Sequence, residues 1–352
     1  MLLKKSVVVF ITMICLLELH AQAPTHTAKF SPFIDDNING FWEYLPRNYT
    51  VDVGKRYPLL IFIHGSGEQG QVQDMPTINL VLRNGPPRII ANGTFPDSFY
   101  VGGNWYKFIV ISPQIKVGLY GSNSIVTPAT VQAVINYAKT TFRIDTTRIY
   151  LSGLSMGGGA TWDYAGSSLT AANNLAGIVV ACGAGDVSPE EAYNIARSSL
   201  PVLATHNLDD PLVAASRTQA NIANIIFSNP NMGTRPRGIY WSTGGHNVWR
   251  RTFENLAAGS TPGGNVTDSL GTNMYQWMLQ FNRLQLSLPV SWQSFTIQKK
   301  NETVVLEWIL NQESVKEYNI ERSKDARSWQ VISTLRATDE KQSVRYLSLI
   351  HI

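Results

Sequence analysis

Gly153-Leu154-Ser155-Met156-Gly157 sets a serine between two glycines in the spacing G-x-S-x-G. The apolar run 149–152 before it reads as a strand, and residues 156–165 after it read as a helix. In that context the spacing forms a sharp strand-to-helix turn. Such a turn lifts the Ser155 hydroxyl out of the sheet, above helical N–H groups that favour developing negative charge. Gly153 and Gly157 suit it because a Cβ at either place would collide with the neighbouring strand or helix. A hydroxyl so placed is a nucleophile for acyl transfer, provided that a base stands beside it.

Six histidines compete for that role. His20 lies in an apolar leader, His26 near the start of the chain and His351 in its last six residues, while His64 and His206 end predicted strands. A serine turn of this kind is followed along the chain by the acid and then by the histidine. That order leaves His246, in Gly244-Gly245-His246-Asn247-Val248-Trp249. Asp209 and Asp210 follow the predicted strand 201–205, and the D-x-x-V spacing from Asp210 to Val213 favours Asp210 as the acid. Asp209 then caps or braces the loop, and Asp186, after the preceding strand, is the remaining alternative.

The oxyanion needs donors as well. His64-Gly65-Ser66-Gly67-Glu68-Gln69-Gly70 follows the first strong strand, so the amides of Ser66 and of Met156 are the expected pair. His64 is expected to brace this loop, and Glu68 either to tie it down through a salt bridge or to remain solvated. Beyond the leader Cys182 is the one cysteine, read as a small buried hydrophobe.

These residues need a scaffold, and the pattern supplies an α/β one. Continuous apolar runs at 57–64, 108–112, 149–152, 177–181 and 201–205, with a shorter one at 239–241, predict strands covered on both faces. Helices are predicted between them: 128–142, opened by Thr127 and Pro128; 156–165; 192–197, after the capping box of Ser188 to Glu191; 212–226; and 274–284. Alternation of this kind implies a mostly parallel sheet flanked by helices. Two insertions, 71–103 and 250–273, break the spacing and are expected to wall the substrate cleft.

Charged residues make up 15% of the sequence and hydrophobic residues 44%, which suits a packed core. A formal charge of +4 without any Lys/Arg run gives no case for nucleic acid. Two cysteines exclude a disulfide framework or a Cys-rich zinc site. No HExxH, P-loop or dinucleotide fingerprint is present, so no metal or cofactor is expected. Lys4, Lys5, the apolar run 7–17 and Ala21-Gln22-Ala23 have the pattern of a secretory signal peptide, 1–23, cut near Ala23. A tail at 24–37 and a catalytic domain at 38–284 are expected to follow. From Pro289 onward the texture turns to short alternating strands, at 295–298, 304–309, 318–321 and 329–332.

PLLIFIHGSGEQG, IYLSGLSMGGGATWDYA, PVLATHNLDDPLV and GGHNVW together resemble secreted esterases of the α/β-hydrolase superfamily, in the dienelactone-hydrolase and polyhydroxybutyrate-depolymerase-like group. The resemblance spans residues 38–284. It implies Ser155 as nucleophile, Asp210 as acid, His246 as base and Ser66 and Met156 as oxyanion donors. It departs from some relatives at Gln69, where they carry Arg. LPVSWQSFTIQKKNETVVLEW and EYNIERSKDARSWQVI resemble the fibronectin type III-like modules that trail secreted enzymes of Bacteroidetes. Residues 289–346 hold about half of such a module, and LSLIHI, 347–352, resembles a translated sequencing adapter.

The expected function is a secreted serine ester hydrolase that works through an acyl-enzyme on acyl groups of polysaccharides or similar esters. A serine peptidase or (lyso)phospholipase on the same triad is the alternative, and a non-catalytic carbohydrate-binding or adhesion protein is the alternative from another class. Trp105, Trp241 and Trp249 are candidates to line a sugar or aromatic-acid site. The expected partner is the ester substrate, with no nucleic acid and no membrane span in the mature chain.

Overall fold

The computed structural model describes residues 22–118, 126–229, 232–283, 290–300, 303–312, 317–322, 330–336 and 344–351. Of the leader expected as a signal peptide, only Gln22 and Ala23 fall within the described residues. The chain divides into two units, Met1–Asn282 and Arg283–Ile352.

The strands of the first unit are β1 (Thr25–Lys29), β2 (Ile38–Leu45), β3 (Tyr57–Ile63), a hairpin of β4 (Phe99–Val101) and β5 (Asn104–Tyr106), then β6 (Ile109–Ile115), β7 (Ile144–Leu154), β8 (Gly177–Ala181), β9 (Val202–Asn207) and β10 (Arg237–Trp241). Eight of them form one sheet in the order β1-β2-β6-β3-β7-β8-β9-β10. From β6 to β10 every neighbouring pair is parallel, while β2 and β1 add an antiparallel edge. The helices are α1 (Met75–Ile78), α2 (Gly85–Ala91), α3 (Pro128–Thr141), α4 (Met156–Gly166), α5 (Leu169–Asn173), α6 (Pro189–Arg197), α7 (Ala215–Ser228), α8 (Val266–Leu270) and α9 (Met274–Leu279).

Strand β3 shows why the apolar runs are unbroken. Leu59, Ile61 and Ile63 face a cluster that holds Val131 and Ile135 of α3, Trp162 of α4 and Ile195 of α6. Leu60 and Phe62 face the opposite cluster, with Ile89 of α2, Phe253 and Tyr275 of α9. Both faces of the strand are thus covered, and each such side chain contributes roughly 1.5–3 kcal/mol. This is the α/β-hydrolase arrangement expected from the sequence.

Several details differ from the expectation. Residues 24–37 hold β1, which pairs with β2 along its whole length. The insertion 71–103 is not plain loop: it carries α1, α2 and β4, and 250–273 carries α8. Helix α7 starts at Ala215 because the amides of Leu212 and Val213 are bonded to Asp210 instead. Helix α9 ends at Leu279.

Among the described residues of the second unit every strand pair is antiparallel. Strands β11 (Val290–Lys300), β12 (Thr303–Gln312) and β15 (Val344–His351) form a three-stranded sheet, and β13 (Glu317–Arg322) pairs with β14 (Gln330–Arg336). Trp308 and Ile320 are buried there with Leu306, Tyr318, Ile332 and Leu335 around them. Strand β15 takes in residues 347–351, part of the segment that resembles an adapter. Among the described residues no helix is long and apolar enough to cross a membrane.

Candidate active site

The turn between β7 and α4 places Ser155 at φ 52°, ψ −115°. A non-glycine residue held at positive φ costs on the order of 1–3 kcal/mol. Hydrogen bonds hold it there: the Ser155 amide donates to the Ala181 carbonyl at 2.9 Å, and the Ser155 carbonyl accepts from Gly159 at 3.0 Å and Ala184 at 2.9 Å. A Cβ on Gly153 would run into the Gly157 carbonyl, and one on Gly157 into the Ile63 carbonyl. The turn is therefore wedged between β3 and β7, as its glycines required.

Ser155 Oγ lies 2.9 Å from His246 Nε2, and His246 Nδ1 lies 2.7 Å from Asp210 Oδ2. The carboxylate can only accept, so Nδ1 carries the hydrogen and Nε2 is free to take the serine proton. The loop that brings His246 here turns through Gly244 and Gly245, both at positive φ. Asp209 clips that loop from the side, its carboxylate accepting from the amides of Gly244 at 3.1 Å and Gly245 at 2.8 Å. Asn207 donates to the Gly245 carbonyl at 2.9 Å. Asp186, the third candidate acid, pairs with Arg217 at 3.4 Å and is exposed.

Burial alone would push the Asp210 carboxyl up, but the hydrogen bonds and charge around it outweigh that and hold it below its ordinary value. Its Oδ1 accepts from the amides of Leu212 at 2.8 Å and Val213 at 3.0 Å. Its Oδ2 is shared by two histidines, because His206 Nε2 also lies 3.1 Å away. His206 Nε2 is 2.9 Å from the Val213 carbonyl, which can only accept, so this nitrogen carries the hydrogen. Nδ1 then accepts from the Thr218 hydroxyl at 2.8 Å. Burial lowers the pKa of His206 and keeps it neutral. The sequence marks His206 only as the end of a predicted strand, and its contact with Asp210 comes from the turn that follows β9.

On the other side of the serine, the 3₁₀ turn Ser66–Glu68 follows β3. Among the described residues neither the Ser66 nor the Met156 amide has an acceptor, so both N–H groups remain available to an oxyanion. His64 braces this loop: the Ile115 amide donates to its Nε2 at 2.9 Å, and its Nδ1–H reaches the Gly65 carbonyl at 2.6 Å. Complete burial lowers its pKa to about 4. Glu68 follows neither expectation. It is buried, its bonded partner is Asn84 at 2.7 Å and not a cation, and burial raises its pKa. Arg83 reaches the Gly67 carbonyl at 3.4 Å, and Gln69 donates to the Lys116 carbonyl at 3.0 Å.

Behind His246, the two insertions meet. Trp249 sits edge-on to the imidazole, with ring centroids 5.5 Å apart, and its Nε1 donates to Asn84 Oδ1 at 2.8 Å. The next amide, that of Gly85, donates to Glu254 at 2.8 Å, and Arg88 pairs with Glu254 at 3.3 Å. Cys182 donates to the His246 carbonyl at 3.4 Å. Its Sγ and donor atoms of Asp210 and His246 lie within 4.8 Å of one another, a set that could hold a metal ion. Burial pushes the thiol far above its ordinary value, so it stays protonated, and the other two side chains already spend atoms on each other.

A pocket of about 410 Å³ opens at Ser155 and His246, between Ser66, Met156, Leu212 and Val213, with Asp163 also in its wall. None of its lining residues comes from 71–103 or 250–273, so the insertions buttress the site from behind and do not wall this pocket. Nor do the three tryptophans line it: Trp241 is buried in the core, and Trp105 is exposed on the β4–β5 hairpin.

Among solved structures the chain is similar to a thermostable esterase, with 19% identity, 74% of this chain and 63% of that one covered, and a TM-score of 0.46. It therefore spans less than two thirds of that esterase's length. A ferulic acid esterase aligns at 15% identity over 64% of this chain and 92% of its own, with a TM-score of 0.40. A putative dienelactone hydrolase from Klebsiella pneumoniae subsp. pneumoniae aligns at 14% identity over 64% and 89%, with a TM-score of 0.42. No curated protein is similar enough in sequence to count as a match. The sequence profile of the phospholipase/carboxylesterase family matches residues 52–257, from the approach to β3 to just beyond the histidine loop. That span is more than half of the sequence, and the chain belongs to the phospholipase/carboxylesterase family of α/β-hydrolases.

Proposed function

We propose that Ser155, His246 and Asp210 hydrolyse carboxylic esters in two acyl-transfer steps. His246 Nε2 takes the proton as Ser155 Oγ attacks the ester carbonyl, and the amides of Ser66 and Met156 stabilise the oxyanion of the tetrahedral intermediate. His246 then gives that proton to the leaving alcohol. Water repeats the sequence on the acyl-enzyme, releasing the acid and restoring Ser155. Asp210 holds the imidazole in the Nδ1–H tautomer and stabilises its cation. The observation that carries this reading is the relay of 2.9 Å and 2.7 Å hydrogen bonds ending on a serine at positive φ. The substrates are acyl groups of polysaccharides or similar esters. The leader 1–23 exports the enzyme, and residues 289–346 are part of a fibronectin type III-like module.

The test is a fluorophosphonate probe mapped by mass spectrometry. Label is expected on Ser155 in the wild type and on neither Ser155→Ala nor His246→Ala. A folded wild type that takes no label would refute the triad.

A further inference from the structure

Asp163 has no task in the relay, yet it stands in the wall of the pocket where the serine opens. It lies eight residues along α4 from the serine, on the helix whose start the serine caps. At 1.5 Å per residue its Cα is ~12 Å from that of Ser155, and helical side chains lean back toward the N-terminus. The reacting carbonyl and the carboxylate are thus separated by roughly the length of an aryl-sized group. The wall between them is largely apolar, with Val126, Met156, Ala160, Leu212 and Val213.

Asp163 is half-buried in this wall, and a hydrogen bond to a charged, partly desolvated acceptor is stronger than one between neutral groups. Among the described residues none supplies a hydrogen bond or an ion pair to Asp163. Its charged neighbour is Glu191, of like sign, whose own carboxylate caps the Ser188 amide at 2.8 Å. Burial, with Glu191 adding to it, raises Asp163 to about 6, so it is mostly ionised at neutral pH. Aspartate is also a poor helix former, and this one occupies a helix interior. Among the described residues nothing competes for its carboxylate, so a donor carried by the substrate can replace the solvent there.

We propose that Asp163 selects esters whose pocket-bound part ends in a hydrogen-bond donor, a hydroxyl or an ammonium, and turns away parts that end in an anion. This rests on the reading of Ser155 as the nucleophile and adds the substrate class to it. For a family whose members include phospholipases, it directs this pocket toward neutral or cationic groups and away from a phosphate.

The experiment uses the full chain and matched aryl esters that carry a para hydroxyl, aminomethyl, hydrogen or carboxylate. One series places the aryl group on the acyl side and the other on the alcohol side. The readout is the ratio of kcat/KM values within one protein, which an incompletely folded variant does not alter. In one of the two series the donor-bearing esters are expected to exceed the para-hydrogen ester by about tenfold or more, with the carboxylate below it. Asp163→Ala levels the ratios. Asp163→Asn keeps an acceptor without the charge, so it retains part of a hydroxyl preference and loses an ammonium preference, which separates the two sources. Equal ratios in both series for a wild type that labels at Ser155 would overturn the selection by Asp163 alone, as would ratios that survive Asp163→Ala. A wild type that neither labels nor hydrolyses any ester would overturn the nucleophile assignment and this proposal with it.

Discussion

Asp210 Oδ2 meets two histidines, and the second is expected to tune how the first is held. His206 supplies one of four donors to the carboxylate and ties it, through Thr218, to helix α7. Replacing it by leucine removes a hydrogen bond to a charged acceptor, worth about 1.5–3 kcal/mol. His206→Leu is therefore expected to lower kcat about 10- to 100-fold with KM little changed. The Asp210 carboxyl, short of one donor, should rise toward its ordinary value, carrying the acid limb of the pH–rate profile upward. His206→Gln keeps a donor and should recover part of the loss. A kcat equal to wild type in the leucine variant would reduce His206 to packing. That Ser155, Asp210 and His246 would stand together was legible because chain order and local spacing constrain them. His206 was not, since a histidine ending an apolar strand reads the same whether it is a brace or part of a relay. Asp163 was invisible for a different reason: which face of α4 meets the pocket depends on the loops laid across it.

The elements that place the site owe their legibility to how fully they are buried. Strands β3 and β8 announce themselves because both faces are covered and nearly every side chain is apolar. Strand β2 did not, since INGFWEYL mixes polar and apolar residues, and neither did β1, a short polar strand at the sheet edge. Helix α2 was concealed by its own start, Gly85-Pro86-Pro87, which reads as loop although proline suits a first helical turn. By contrast the capping box of Ser188 and Glu191 forms as written. At the turn after β7, contact with backbone leaves no flexible side chain to yield. Gly157→Ala is expected to destabilise the fold by about 1–3 kcal/mol through overpacking against the Ile63 carbonyl. Urea unfolding measures this directly, and an unchanged midpoint would mean that β3 and α4 can part at no cost.

For the molecule as a whole, a buried neutral histidine links stability to pH. His64 takes up its proton at about 4 when folded, against an ordinary 6.5. In the unfolded chain it protonates first as the medium is acidified. Its contribution is thus fully present above about 6.5 and is lost as pH falls from there toward 4, by about 3 kcal/mol in all. Carboxylates such as the buried Glu68 and the half-buried Asp163, whose values are raised, act in the opposite sense, so the comparison must be with a variant. The stability gap between wild type and His64→Gln, from urea unfolding at each pH, should narrow by about that amount between pH 7 and 4. A gap that stays constant would show that His64 carries a charge inside the fold. The same molecule holds its histidine loop from behind with two stretches that enter the chain more than a hundred residues apart, Asn84 to Arg88 from one and Trp249 to Glu254 from the other. Neither is a finished part by itself. Cutting out Asn84 to Arg88 would strand Trp249 and Glu254, and cutting out Trp249 to Glu254 would strand Asn84 and Arg88, so the brace works only as a joint with both halves in place.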